Sequence, residues 1–175
     1  MTRAIKRISI AVLATTAVLT GTVISASPAA AAEACNTSYQ TKEFPTTGYN
    51  VDFKIKLCIK KVGTNSYQAY AKGSWGDGGA TTRKFDKFNI VVRVERDDVV
   101  KGSGTRPLMN SINLHETGSF DADGDSHNEY QWAGIYATSS LDGGWSADGK
   151  IVYDIDEDGQ GDLPDWNLTG SPTID

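Results

Sequence analysis

The residues best placed to do chemistry stand between Lys150 and Trp166, in the run KIVYDIDEDGQGDLPDW. Asp154, Asp156, Asp158 and Asp162 occupy positions one, three, five and nine of a calcium-loop register. Gly159 falls at six, Gln160 offers its carbonyl at seven and Asp165 stands at twelve. In that register alternate side chains converge on one hard cation, and the glycine lets the backbone turn around it. Position twelve of an EF-hand is a bidentate glutamate, whereas aspartate reaches less far. The stretch also enters from a strand pattern and leaves through Pro164, so no helices flank it. The alternative is a solvated acidic turn, but five aspartates in twelve residues repel one another unless a cation is present. A structural Ca2+ is therefore expected, at an extracellular affinity of about 10⁻⁴–10⁻³ M. A second acidic run, Asp121, Asp123, Asp125 and Glu129, shares the alternating start but has Ser126 where the glycine belongs. It reads equally as a metal loop or a hairpin loop, and the two runs could share one ion.

Motifs for covalent chemistry are missing. His115 and His127 are the available imidazoles, and no G-x-S-x-G, S-x-x-K or H-E-x-x-H surrounds them. Carboxylate pairs for glycoside hydrolysis follow no local spacing rule, and an acidic chain offers many accidental ones. The expectation is a binding protein and not an enzyme. Cys35 and Cys58, without C-x-x-C spacing, are expected to form one disulfide closing a loop of a little over twenty residues. Such a loop contributes roughly 3 kcal/mol on the chain-entropy estimate. Trp75, Trp132, Trp145 and Trp166 fall on the apolar phase of strands or at their ends. Trp75 and Trp145, beside glycine-rich turns, are the candidates for a carbohydrate platform. Lys54, Lys56 and Lys60 make a basic stripe, which is either an edge guarded against aggregation or a dock for an acidic partner.

The elements that position these residues read as strands. After Arg3, Lys6 and Arg7 an uncharged apolar run reaches Ala26, and A-x-A sites follow at residues 30–34. That is an export signal, residues 1–32, cleaved after residue 32 or 34. Cleavage removes those three basic residues, taking 17 to 14 against 22 acidic ones and the net charge from −5 to −8. About 143 residues remain, a single secreted domain. A chain so acidic has no general attraction for nucleic acid or anionic membrane, and no second apolar run spans a bilayer. Residues 33–50 read as an extended tail or irregular edge strand, and 51–175 as the domain. Val51, Phe53, Ile55, Leu57 and Ile59 alternate with Asp52, Lys54, Lys56, Cys58 and Lys60, a half-buried strand. Cys58 then lies on the lysine face, and a bridge from it pins the tail outside the sheet. Tyr67, Ala69, Ala71 and Trp75 mark a second strand; Phe88, Ile90, Val92 and Val94 a third. Lys101–Pro107 reads as a flexible loop. Ile112, Leu114 and Phe120 suggest a fourth strand, Tyr130, Trp132 and Tyr136 a fifth, Trp145 to Tyr153 a sixth, and Trp166, Leu168 and Ile174 a seventh. About seven strands with Gly/Asn/Asp turns predict an all-β antiparallel sandwich, immunoglobulin-like or jelly-roll-like.

The Ala-rich signal exit and the ending DGGWSADGKIVYDIDEDGQGD…WNLTGSP are similar to those of small exported actinobacterial proteins. Among these, the chain resembles the adaptor subunit of umbrella toxin particles in size, export, one disulfide and an extended N-terminal segment. That resemblance implies an adaptor with a secreted protein partner, docked through Glu33–Gly48 by strand addition or insertion in a groove. A carbohydrate-binding module is the alternative, followed by a small hydrolase or a protease inhibitor that would present Lys101–Pro107.

Overall fold

The computed structural model describes residues 32–121, 135–156, 158, 159, 161 and 165–175. Residues 1–31, where the export signal is expected, lie outside them, as do Asp123, Asp125, His127, Glu129, Tyr130, Trp132, Gln160 and Asp162.

Two antiparallel sheets pack face to face, as the alternating patterns predict. The six-stranded sheet runs β1 (Glu33–Cys35), β3 (Val51–Gly63), β4 (Ser66–Gly76), β7 (Gly118–Asp121), with β2 (Gln40–Phe44) also on β3 and β8 (Ile135–Thr138) also on β4. The four-stranded sheet has the order β10 (Trp166–Asn167), β9 (Trp145–Ile155), β5 (Phe85–Arg96), β6 (Val99–Pro107). The inner faces carry the predicted apolar phases: Val51, Phe53, Ile55, Leu57 and Ile59 meet Phe88, Ile90, Val92 and Val94, all buried. Tyr67 stacks on Trp145 with ring centroids 4.2 Å apart, joining the two layers.

The fold departs from the expected strand plan in two places and decides between alternatives in a third. Of the two alternatives for residues 33–50, they form the edge strands and not a tail. They supply β1 and β2, and Phe44 is fully buried, edge-on to Phe85 and Phe88 at 5.4 Å and to Tyr153 at 4.8 Å. Burying a phenylalanine outweighs the polar character of its neighbours, so this segment belongs to the core. Lys101–Pro107 is not a loop but most of β6, paired from Val99–Arg96 to Pro107–Asn89. Asp97 and Asp98, both in the left-handed region at φ 51° and 60°, turn β5 back on itself. Such a turn suits the twist of a tight hairpin. Ile112 and Leu114 belong to a short helix, α1 (Met109–Leu114), with Ile112 buried and Leu114 67 % exposed. Only Phe120 of that group is in a strand.

The open side between β2 and the C-terminal segment is closed by side chains. Asn36 Nδ2 donates to Gly170 O at 2.7 Å, Gln40 Nε2 to Thr169 O at 3.0 Å, and Thr169 N to Gln40 Oε1 at 2.6 Å. No helix among the described residues is long and apolar enough to cross a membrane.

Candidate functional site

The outer face of the six-stranded sheet gathers the lysine stripe. Period-two alternation sends Lys54, Lys56 and Lys60 outward from β3 while their neighbours enter the core. On β4 the same alternation sends Tyr70, Lys72 and Ser74 outward, and the register sets Lys56 directly opposite Lys72 and Lys54 opposite Ser74. β3 lies between β1/β2 and β4, so it is an interior strand and the stripe guards no edge. That removes the anti-aggregation reading. Like charges on directly opposed positions are unfavourable by about 0.2–1 kcal/mol. Among the described residues no carboxylate lies within ion-pair distance of Lys54, Lys56 or Lys72.

Aromatic rings support the ammonium groups. Lys56 Nζ lies 4.9 Å from the centroid of Tyr39, and Lys60 and Lys72 Nζ lie 5.3 and 5.7 Å from that of Tyr70. Each such contact offsets about 0.5–1 kcal/mol of the repulsion. Acidic groups stand at the rim: Glu43 and Asp52 pair at one end of β3, Glu33 opposes Lys60 at the other, and Asp121 opposes Lys72 from β7. The Cys35–Cys58 bridge, as predicted, joins β1 to β3 at directly paired positions. It lies within this face, not across it, and Cys58 is buried with Tyr70 against it. The tyrosine hydroxyl donates to the Glu33 carboxylate. Glu33, Cys35 and Cys58 are the one set of three potential ligand atoms within 4.8 Å of one another among the described residues. Both sulfurs are spent in the bridge, so no thiolate is offered to a metal.

The predicted calcium loop leaves the C-terminal end of β9, between β10 and β5 in the four-stranded sheet. Asp154, opposite Lys87, and Asp156 follow the outward phase, and Gly159 takes φ 69°, as the sixth position requires. Asp156 Oδ1 lies 3.5 Å from Arg83 Nε, and Asp165 Oδ2 lies 2.5 Å from Lys150 Nζ. Two of the expected ligands thus have cationic partners from within the chain. Among the described residues, Asp154, Asp156, Asp158 and Asp165 do not gather three oxygens within 4.8 Å. Asp121 begins the second acidic run on the six-stranded sheet, so the two runs start from different sheets.

Trp75 and Trp145 are core residues, 3 % and 1 % exposed, and present no ring to a sugar. Trp75 Nε1 donates to His115 O at 3.0 Å, and Trp145 Nε1 to Leu141 O at 3.1 Å. Their indoles are needed to join the sheets and to satisfy loop carbonyls. The carbohydrate platform expected at these positions is therefore overturned. The inhibitor alternative loses its reactive loop, since Lys101–Pro107 is a paired strand.

Sequence reading missed one exposed anchor. Tyr49 is 81 % exposed on the β2–β3 loop, whose backbone is clamped by a buried lysine: Lys84 Nζ donates to Thr47 O at 2.8 Å and to Tyr49 O at 2.7 Å. Together with Asp77 and Glu116 these residues line a cleft of about 310 Å³ at one end of the sandwich. At the opposite end Lys61 Nζ and the Tyr67 hydroxyl both donate to Asp142 Oδ1, at 2.6 and 2.9 Å. These hydrogen bonds, Lys61 first, hold the Asp142 carboxyl below the ordinary carboxylate range. Glu95 goes the other way, its carboxyl raised by burial and then by Asp148, with Arg93 opposing. Arg93 Nε is 3.0 Å from Glu95 Oε1, but its N–H is not aligned for a hydrogen bond, so the contact is electrostatic.

No protein-family model, curated protein or solved structure matches the chain.

Proposed function

We propose that this chain is an exported binding protein without catalytic activity, an adaptor in a secreted complex, which engages its protein partner through the outer face of the six-stranded sheet. One observation carries the reading: Lys54, Lys56 and Lys72 share the outer face of the six-stranded sheet with no carboxylate among the described residues at ion-pair distance, on a chain of net charge −5. A fold that needs only solubility places lysines beside its many acids; holding three together costs stability unless something outside neutralises them. A Ca2+ ion at the Asp154–Asp165 loop belongs to the same reading as a structural ion. Uptake would require Asp156 and Asp165 to exchange Arg83 and Lys150 for the metal. The adaptor role agrees with the resemblance to subunits of secreted toxin particles, although the segment expected to dock there is built into this protein's own sheet.

The test is affinity capture from culture medium with the wild type and a Lys54→Gln/Lys56→Gln/Lys72→Gln variant. The expected result is a protein retained by the wild type, released by moderate salt, and lost from the variant. Equal recovery on both would exclude this face.

A further inference from the structure

We propose that the lysine face recognises an extended acidic segment of its partner, with carboxylates at every second residue. The inference rests on the functional reading above and adds the chemistry and spacing of the ligand. Lys54 and Lys56 stand two residues apart on one strand, so their side chains leave the sheet about 6.7 Å from each other. Carboxylates at alternate positions of an extended chain repeat at the same interval, because that chain has the same rise per residue. A helix would bring its like-facing acids together every third or fourth residue instead, at about 5–6 Å with a turn between them. Lys72, directly across from Lys56, doubles the charge at the middle of the row.

The support beneath the row is rigid in the way such recognition needs. β3 is hydrogen-bonded on both sides, and the Cys35–Cys58 bridge fixes β1 two positions beyond Lys56. Tyr39 and Tyr70 hold the ammonium groups of Lys56 and Lys72 over their rings. A row held in place loses less side-chain entropy on pairing than free lysines would. Glu43 and Asp52, at the end of β3 beyond Lys54, repel an anionic chain that runs past the row, which sets its position along β3.

Fluorescence anisotropy with two labelled peptides of equal charge tests this: Glu-Ser repeats, and the same residues with all glutamates in one block. The full mature chain should bind the alternating peptide about tenfold more tightly than the block, and Lys56→Gln/Lys72→Gln should lose about tenfold, the effect of roughly 1.4 kcal/mol. Melting temperature and a retained disulfide show that the variant is folded. Equal affinity for both peptides overturns the spacing, leaving general charge attraction. Tighter binding of inorganic polyphosphate than of either peptide overturns the protein ligand in favour of an anionic polymer. Should neither peptide bind while the lysine variant still loses the partner captured from medium, this inference falls and the functional reading stands. Should the variant keep that partner, both fall.

Discussion

Lys56 and Lys72 face each other across β3 and β4 with Lys54 two residues away, and among the described residues none of the three makes an ion pair. If their role lies in binding, removing one should improve the isolated fold. Lys72→Gln is expected to raise stability in urea unfolding by a few tenths to about 1 kcal/mol; a loss of stability would mean that the lysines serve the fold. Carboxylates elsewhere set the response to acid. The fold favours ionised Asp142, because Lys61 and Tyr67 hydrogen-bond it, so that contribution is present above the ordinary aspartate pKa and lost as pH falls through the lowered folded value. Glu95 is raised by burial, so its contribution is present below the ordinary glutamate pKa and is lost as pH rises through the raised folded value. Melting curves from about pH 2.5 to 7 should show a shallower acid decline for Asp142→Asn than for wild type, and a neutral-pH gain for Glu95→Gln. Parallel wild-type and Asp142→Asn profiles would show that the Lys61 contact is worth nothing in solution.

Elements were legible wherever one face of a strand is buried. β3, β5 and β9 alternate as read because each packs an apolar face on the opposing sheet, and the Cys35–Cys58 bridge followed from the two cysteines present. Edge elements were legible only in part: Phe120, Tyr136 and Trp166 fall in strands as expected, and other edges did not show. β6 has no buried face and carries Gly102 and Gly104, so its pattern is that of a loop until the Asp97-Asp98 turn folds it onto β5. β2 hides Phe44 in a polar sequence, and α1 is too short to show a helical period. The site was half legible: Lys54, Lys56 and Lys60 stand on one strand, but Lys72 joins them only through a cross-strand register that sequence spacing does not encode. The cations beside the acidic loop, Arg83 and Lys150, were hidden for the same reason. They make the calcium reading a competition. With an affinity near 10⁻⁴ M, 1 mM Ca2+ should stabilise by about 1.4 kcal/mol, a rise of a few degrees in Tm over EDTA. Asp156→Ala should abolish that rise; an unchanged Tm in the wild type would leave Asp154–Asp165 as an acidic surface turn held by its own cations.

Across the molecule, an acidic chain with a sequence pI near 5.0 gathers Lys54, Lys56 and Lys72 on one sheet face, with carboxylates at the borders of that face and on the loop that leaves β9. Such an arrangement orients an approaching partner and speeds its encounter, and it weakens with salt. The sandwich beneath is closed by Asn36 and Gln40 on the Thr169–Gly170 carbonyls, so the lysine face is presented on a body with its N-terminal segment committed to the core. Site-specific photo-crosslinking reads the contact directly, with the reactive residue at position 56 on one outer face or at Val91 on the other. In culture medium position 56 should give an adduct to one secreted protein and position 91 none. An adduct to the same protein from position 91, with none from position 56, would contradict it.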